Sequence, residues 1–198
     1  MIPAIRMASP ADASEVLAIY APFVVKTSVS FETDPPSIEE VARRISTTLP
    51  EFPWLVCEYD GRLVGYAYAG RFRARPAYRW TVETAVYVRD GFHGQRVGTA
   101  IYSSLLACLR LQGLRTAVAG ITLPNEASAR LHQRLGFQLV GVFHHVGHKL
   151  GVWHDVAWWE RTLQELPEPP PEPLRCAQAV NTPRWSEAIA SGQLQIRV

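Results

Sequence analysis

Apolar and polar positions change period many times along this chain, and each change marks an element. A short apolar run over residues 2–7 predicts an opening strand. Ser9-Pro10-Ala11-Asp12 then carries helix-start chemistry. Val16, Leu17, Ile19, Tyr20 and Phe23 follow with a helical period, so a helix is expected as far as Phe23. Val29-Ser30-Phe31 reads as a short extended piece. Ser37 and Glu40 stand at capping-box spacing ahead of Val41 and Ile45, which predicts a second helix to Leu49. Residues 54–59 and 62–71 are β-rich runs joined at Asp60-Gly61, a strong hairpin signal.

Three arginines and a proline interrupt the β pattern over residues 73–79 and predict a loop. Residues 81–88 then alternate as a strand, with Val82, Val86 and Val88 on one parity and Glu83, Ala85 and Tyr87 on the other. A glycine-bearing loop leads from there into an apolar helix that ends at Gln112, before Gly113. Residues 116–121 form the next strand. Asn125 is placed to cap a helix that Gly136 closes. Residues 137–146 and 152–163 read as a last pair of strands about a turn at residues 147–151. From Glu165 the composition turns to LPEPPPEP, so residues 1–165 are expected to be one domain and residues 166–198 a proline-rich tail. The tail has little apolar pattern and is expected to pack loosely or exchange between subunits. Interleaved helices and strands around one sheet give an α/β or α+β class with a mixed sheet.

The 198 residues suffice for one well-buried domain. A net charge of +2 argues against a nucleic-acid partner held by bulk electrostatics. No apolar run approaches the roughly 20 residues of a spanning helix, and the first ten residues lack a signal-peptide core. Cys57, Cys108 and Cys176 are odd in number and scattered, which suggests neither a disulfide framework nor a metal knuckle. A reducing cytoplasm and no membrane partner are therefore expected.

Two features invite chemistry. A strand feeding the loop His93-Gly94-Gln95-Arg96-Val97-Gly98 and then a helix N-terminus directs several main-chain N–H groups at one point, which suits a diphosphate. Glu83 puts a carboxylate inside an apolar strand, which costs free energy unless it is ion-paired, to Arg75 or Arg79 for example, or functional. His144, His145, His148, His154 and Asp155 allow a zinc reading, but structural or interface roles are preferred and no metal is expected.

Several motifs agree in order and spacing with one family. YVRDGFHGQRVGTAIYSSLL, AVAGI and LPNEASARLHQRLGF resemble the GNAT superfamily of N-acetyltransferases. More narrowly, VSFETDP at 29–35, RARPAYRWTVE at 73–83 and GVWHDVAWWE at 151–160 are similar to phosphinothricin and methionine sulfone or sulfoximine N-acetyltransferases. The likeness spans residues 2–165 and implies a GNAT fold, a mixed and mostly antiparallel sheet flanked by helices. The loop departs from the superfamily's Gln/Arg-x-x-Gly-x-Gly/Ala pattern. Spacing from Val88 puts His93, Arg96 and Gly98 at those positions, whereas a shifted register, Gln95-x-x-Gly98-x-Ala100, fits literally.

The resemblance implies acetyl-CoA as co-substrate, held by Ala85, Val86, Tyr87 and Val88, by His93, Gly94, Gln95, Arg96, Val97, Gly98 and Thr99, and by Asn125 and Ser128, with the stretch from Thr84 to Val88 along its pantetheine arm. It implies Glu83 as general base, Tyr102 as proton donor to the departing thiolate, and His132 as an assistant at the acceptor pocket. It places Phe31, Arg73, Arg75, Tyr78 and Glu83 around a small amino-acid-like acceptor, and it implies a homodimer. Expected activity is direct transfer of the acetyl group to that acceptor's α-amine in a ternary complex. Another amine acceptor, a protein N-terminus, a non-catalytic CoA-binding module and a zinc hydrolase are the alternatives.

Overall fold

The computed structural model describes residues 3–197; Met1, Ile2 and Val198 lie outside it, so the start of the strand expected at residues 2–7 falls outside the described residues. Strand β1 (Ala4–Met7) leads through a 3-10 turn at Pro10–Asp12 into α1 (Ala13–Lys26), followed by α2 (Ile38–Thr48). Strands β2 (Trp54–Tyr59), β3 (Arg62–Arg71) and β4 (Thr81–Val88) come next, then α3 (Val97–Leu111), β5 (Thr116–Thr122) and α4 (Glu126–Arg134). The hairpin β6 (Gln138–Lys149) and β7 (Val152–Thr162) closes the sheet, and α5 (Cys176–Ala179) and α6 (Arg184–Ala190) follow. The seven strands lie in the order β1-β2-β3-β4-β5-β7-β6. Every neighbouring pair is antiparallel except β4 with β5. This is the mixed sheet flanked by helices that the pattern of elements predicts.

Local chemistry accounts for the boundaries. Asp60 and Gly61 both take positive φ (53° and 70°), the geometry that joins β2 to β3 by a tight two-residue turn. The Ser37 hydroxyl accepts from the Glu40 N–H at 3.1 Å and starts α2, while the Glu40 carboxylate turns to Arg43 and Arg44. Helix α1 continues three residues past Phe23, because Val24 is buried and the Thr27 hydroxyl caps the Phe23 carbonyl at 2.7 Å. The extended piece expected at residues 29–31 is instead a series of bends, fixed by a 2.6 Å hydrogen bond between Tyr20 and Ser30. Strand β6 runs on through Gly147 to a turn at Leu150-Gly151. Gly147 needs no turn: the Phe31 ring fills the space where its Cβ would stand.

Over β2 and β3 the sheet is covered on both faces. Helix α3 sets Ile101, Leu105 and Leu109 against Leu55, Val64 and Ala67 on one face. Helices α1 and α2 set Val16, Ile19, Val41 and Ile45 against Val56 and Tyr66 on the other. Each of these fully buried side chains contributes on the order of 1.5–3 kcal/mol relative to exposure.

The segment after residue 165 is not loosely packed. Cys176, Ala179, Trp185 and Ala188 form a third buried cluster with Cys108 of α3. The Gln112 side-chain amide donates to the carbonyls of Glu51 and Leu174 at 2.8 and 2.9 Å and binds the segment to α3. Helices of four and seven residues carry too few turns for a periodic signal, yet the small apolar residues they contain fit flat against α3. Trp185→Ala is therefore expected to lower the unfolding free energy by about 3 kcal/mol in urea denaturation, as for a buried aromatic truncated in a core. An unchanged midpoint would mean that the segment is not part of the folded unit.

Candidate active site

Strands β4 and β5 pair only at Thr81, Val82 and Glu83 against Thr116, Ala117 and Val118. Beyond that fork they part, although β4 continues to Val88 and β5 to Thr122. Residues 84–87 and 119–122 line the opening, and Asn125, Ser128 and His132 close it from the α4 side. Val29 approaches from the loop after α1, and the cleft is narrow, with a volume of about 60 Å³. Main-chain groups that a continued ladder would have paired face this space and can pair with a ligand instead.

The loop from β4 to α3 opens at the head of the cleft. It turns through three left-handed residues, Gly91, Gly94 and Arg96, with φ of 85°, 80° and 61°. Arg96 is the N-cap of α3 and gives no side-chain cap. Among the described residues, the main-chain N–H groups of residues 94–99 find no acceptor. A helix N-terminus left uncapped in this way, with its positive dipole end outward, fits an anion. A non-glycine residue in the left-handed region costs about 1 kcal/mol or more, which explains why a glycine suits position 96. The left-handed residue falls where counting from Val88 puts it. Gly98 has helical geometry instead; a Cβ there would stand 3.2 Å from Val88 Cγ2, so its glycine lets α3 sit down on β4.

Glu83 stands at the fork on the sheet face opposite α3 and remains open to solvent. Among the described residues no Arg, Lys or His lies within 4 Å of its carboxylate. Arg79 pairs with Glu172 instead. Desolvation by surrounding protein raises the Glu83 pKa above the ordinary carboxylate range, and the positive charge of Arg73 partly opposes this.

On the α3 side of the fork lies a buried hydrogen-bond chain. The Thr84 hydroxyl donates to the Val118 carbonyl at 3.0 Å and so must accept from the Tyr102 hydroxyl at 2.6 Å. His132 Nδ1 lies 2.8 Å from the Ser128 carbonyl, which can only accept, so Nδ1 bears the hydrogen. Burial lowers the pKa of His132 and favours the neutral ring. Its Nε2 lone pair then faces the Tyr102 hydroxyl at 3.2 Å. The single phenolic hydrogen thus has two acceptors. Tyr102 itself has no exposed surface, and it reaches the cleft only through Thr84 and His132. Burial pushes its pKa well up and keeps the phenol protonated. The sequence reading gave Thr84 a place along the pantetheine arm and missed the role of its hydroxyl. Its signal was a hydroxyl at the parity otherwise held by Val82, Val86 and Val88.

The remaining candidates divide between cleft and rim. Ala85, Val86, Tyr87, Asn125 and Ser128 line the cleft, and Asn125 also caps α4, its Oδ1 accepting from the Ser128 N–H at 3.1 Å. His93 is exposed at the loop, with its Nδ1 3.8 Å from Asp90. Arg73 stacks over the Phe72 ring at 4.5 Å, and Tyr78 meets the same ring edge-on at 5.7 Å. Arg75 is exposed beside them, at the start of a 3-10 turn. Phe31 stands apart from this group, against Gly147 and 6.2 Å from the His154 ring. Of the β6–β7 histidines, His144 pairs with Asp155 at 2.8 Å and His154 contacts the Lys149 carbonyl at 3.0 Å.

Comparison with known proteins agrees with this geometry. The Acetyltransferase (GNAT) domain family matches residues 5–158. The chain is 40% identical over 171 residues to a phosphinothricin N-acetyltransferase of Streptomyces viridochromogenes, covering 86% of this chain and 92% of that one. It is 36% identical over 165 residues to an L-methionine sulfoximine/L-methionine sulfone acetyltransferase of Pseudomonas aeruginosa, covering 82% and 96%. It also resembles the solved structure of a GNAT superfamily phosphinothricin acetyltransferase from Sinorhizobium meliloti in complex with AcCoA. There the identity is 36% and the TM-score 0.80, over 83% of this chain and 90% of that one. A forked sheet, an uncapped helix N-terminus and a family match over residues 5–158 lead to one assignment: the chain belongs to the GNAT acetyltransferases, enzymes whose acetyl donor is acetyl-CoA.

Proposed function

We propose that the enzyme acetylates the α-amine of a small amino-acid-like acceptor of the phosphinothricin, methionine sulfone or methionine sulfoximine type, by direct attack in a ternary complex. The observation that carries this reading is Glu83, a carboxylate without an ion-pair partner at the mouth of a cleft whose far end offers free N–H groups. The amides of residues 94–99, helped by Arg96, take the diphosphate, and the open edge of β4 at residues 85–88 takes the pantetheine arm opposite Asn125 and Ser128. Bound acetyl-CoA supplies the activated acetyl group.

The chain's own residues do the rest. Arg73 and Arg75, neither of them paired with a carboxylate among the described residues, receive the acceptor's carboxylate and second anionic group, with Tyr78 at the side. Glu83 takes a proton from the acceptor ammonium, directly or through water, which frees the amine to attack. An N–H on the open edge of β4 polarises the thioester carbonyl. As the thioester breaks, the Thr84 hydroxyl turns its own hydrogen from the Val118 carbonyl to the departing sulfur and takes the phenolic hydrogen of Tyr102 in exchange, while His132 holds the phenol in place. The acceptors that name its relatives, phosphinothricin and methionine sulfoximine or sulfone, support the acceptor class. The same reading includes a homodimer, because Phe143, Val146, Leu150 and Trp153 leave the β6–β7 hairpin with an apolar surface, each more than half exposed.

Glu83 must be ionised to act, and its pKa is raised, so kcat is expected to fall on the acid side at a higher pH than an ordinary glutamate would give. Glu83→Gln should lower kcat by about 10²-fold and abolish that acid limb; a variant with the parental pH–rate profile removes Glu83 from the role. In steady-state assays across methionine sulfone, methionine sulfoximine, phosphinothricin, polyamines and peptides, the three amino-acid-like acceptors should lead. Arg75→Ala should raise their KM about tenfold or more with acetyl-CoA KM unchanged. Preference for a polyamine or peptide contradicts the acceptor assignment. Sedimentation equilibrium should give twice the chain mass at micromolar concentration, and a monomer there removes the dimer.

A further inference from the structure

The C-terminal segment does more than fill space beside α3. It starts at the arginine-bearing loop, where the Trp80 indole donates to the Pro171 carbonyl at 2.8 Å and Arg79 pairs with Glu172. It then follows α3 from its C-terminal end to its first turn. Ser104, a fully buried hydroxyl in the middle of that helix, is satisfied only by this segment: it donates to the Ile189 carbonyl at 2.6 Å and accepts from the Gly192 N–H at 3.2 Å. Gly192 rests directly on the helix. A Cβ there would lie 1.9 Å from the Ala100 carbonyl oxygen, a backbone atom that cannot swing aside. Its φ of −88° is ordinary, so closeness alone requires the glycine. Ile196 then packs on the main core, and the Arg197 N–H donates to the Gln95 carbonyl at 3.0 Å. Gln95 in turn donates through its side chain to the Gly91 carbonyl at 3.1 Å. The strap therefore ends on the loop whose amides carry the left-handed turn.

We infer that residues 192–197 are a positioning element for acetyl-CoA binding: by pinning Gln95 they hold the 93–98 loop with its N–H groups directed into the cleft. A loop that contains two positive-φ residues and few internal hydrogen bonds samples other conformations unless it is tied down. Coenzyme affinity falls by the fraction of time the loop spends outside the binding conformation. The inference rests on the diphosphate being held by that loop, and the test separates the two.

Two full-length proteins, the parent and Gly192→Ala, are compared with a chain ending at Ser191. Amide hydrogen exchange is read with and without acetyl-CoA, alongside steady-state kinetics and thermal unfolding. Both variants should exchange the amides of residues 93–98 faster than the parent when no coenzyme is present. Their KM for acetyl-CoA should rise about fivefold or more, as for a loop competent a fifth of the time or less, with kcat and acceptor KM within about twofold. Unchanged exchange and unchanged KM in both variants overturn the strap. So does a parallel loss of kcat, acceptor KM and melting temperature, which marks general loosening of the fold. Failure of acetyl-CoA to protect the 93–98 amides in the parent overturns instead the placement of the diphosphate, and the strap's bearing on coenzyme binding falls with it.

Discussion

Two parallel strands that pair for three residues and then separate set the terms for the rest of this molecule. The β4–β5 ladder ends at Glu83 and Val118, and the next carbonyl contact across the fork is made by a side chain, the Thr84 hydroxyl. Main-chain groups beyond it face open space rather than each other. Inside a sheet, unpaired edges of this kind are costly unless water or a ligand occupies them. The cleft is thus a property of backbone pairing, and side chains only decorate it.

The two faces of the sheet divide the chemistry between them. Alternation along β4 sends Thr84 to the α3 side, where Tyr102 and His132 complete a buried hydrogen-bond chain, and sends Glu83 to the side where the acceptor arginines stand. One carboxylate and one phenol, each with its pKa raised by the protein around it, therefore flank the same opening from opposite sides without touching. Helix α3 connects the parts: its N-terminus meets the loop, Tyr102 projects from its second turn, and its outer surface carries the C-terminal segment.

How far the sequence disclosed this depended on how local each signal was. Asp60-Gly61, Ser37 and Asn125 each act over three or four residues, so the hairpin and helix starts could be read directly. The group of residues about the cleft was legible because a strand, a glycine-bearing loop and a helix follow one another in the chain. The fork was not, since it depends on where β5, more than thirty residues later, ceases to pair. The role of the Thr84 hydroxyl was hidden for the same reason: its partners Tyr102 and Val118 are distant in sequence. The close packing of the C-terminal segment escaped because Cys176, Ala179, Trp185 and Ala188 form no periodic stripe, and their complement is a face of α3 already read as core. Gly147 looked like a turn residue when its real constraint is the Phe31 ring.

The account stands or falls on where the coenzyme lies. A crystal structure of the enzyme with acetyl-CoA tests this most directly. The diphosphate should be found within hydrogen-bond distance of the amides of residues 94–99, with the pantetheine along residues 85–88 and the acetyl carbon open to the Glu83 carboxylate. Coenzyme bound elsewhere, for instance in the apolar hollow between Phe72, Phe143 and Trp158, with the fork closed or filled only by water, would contradict it.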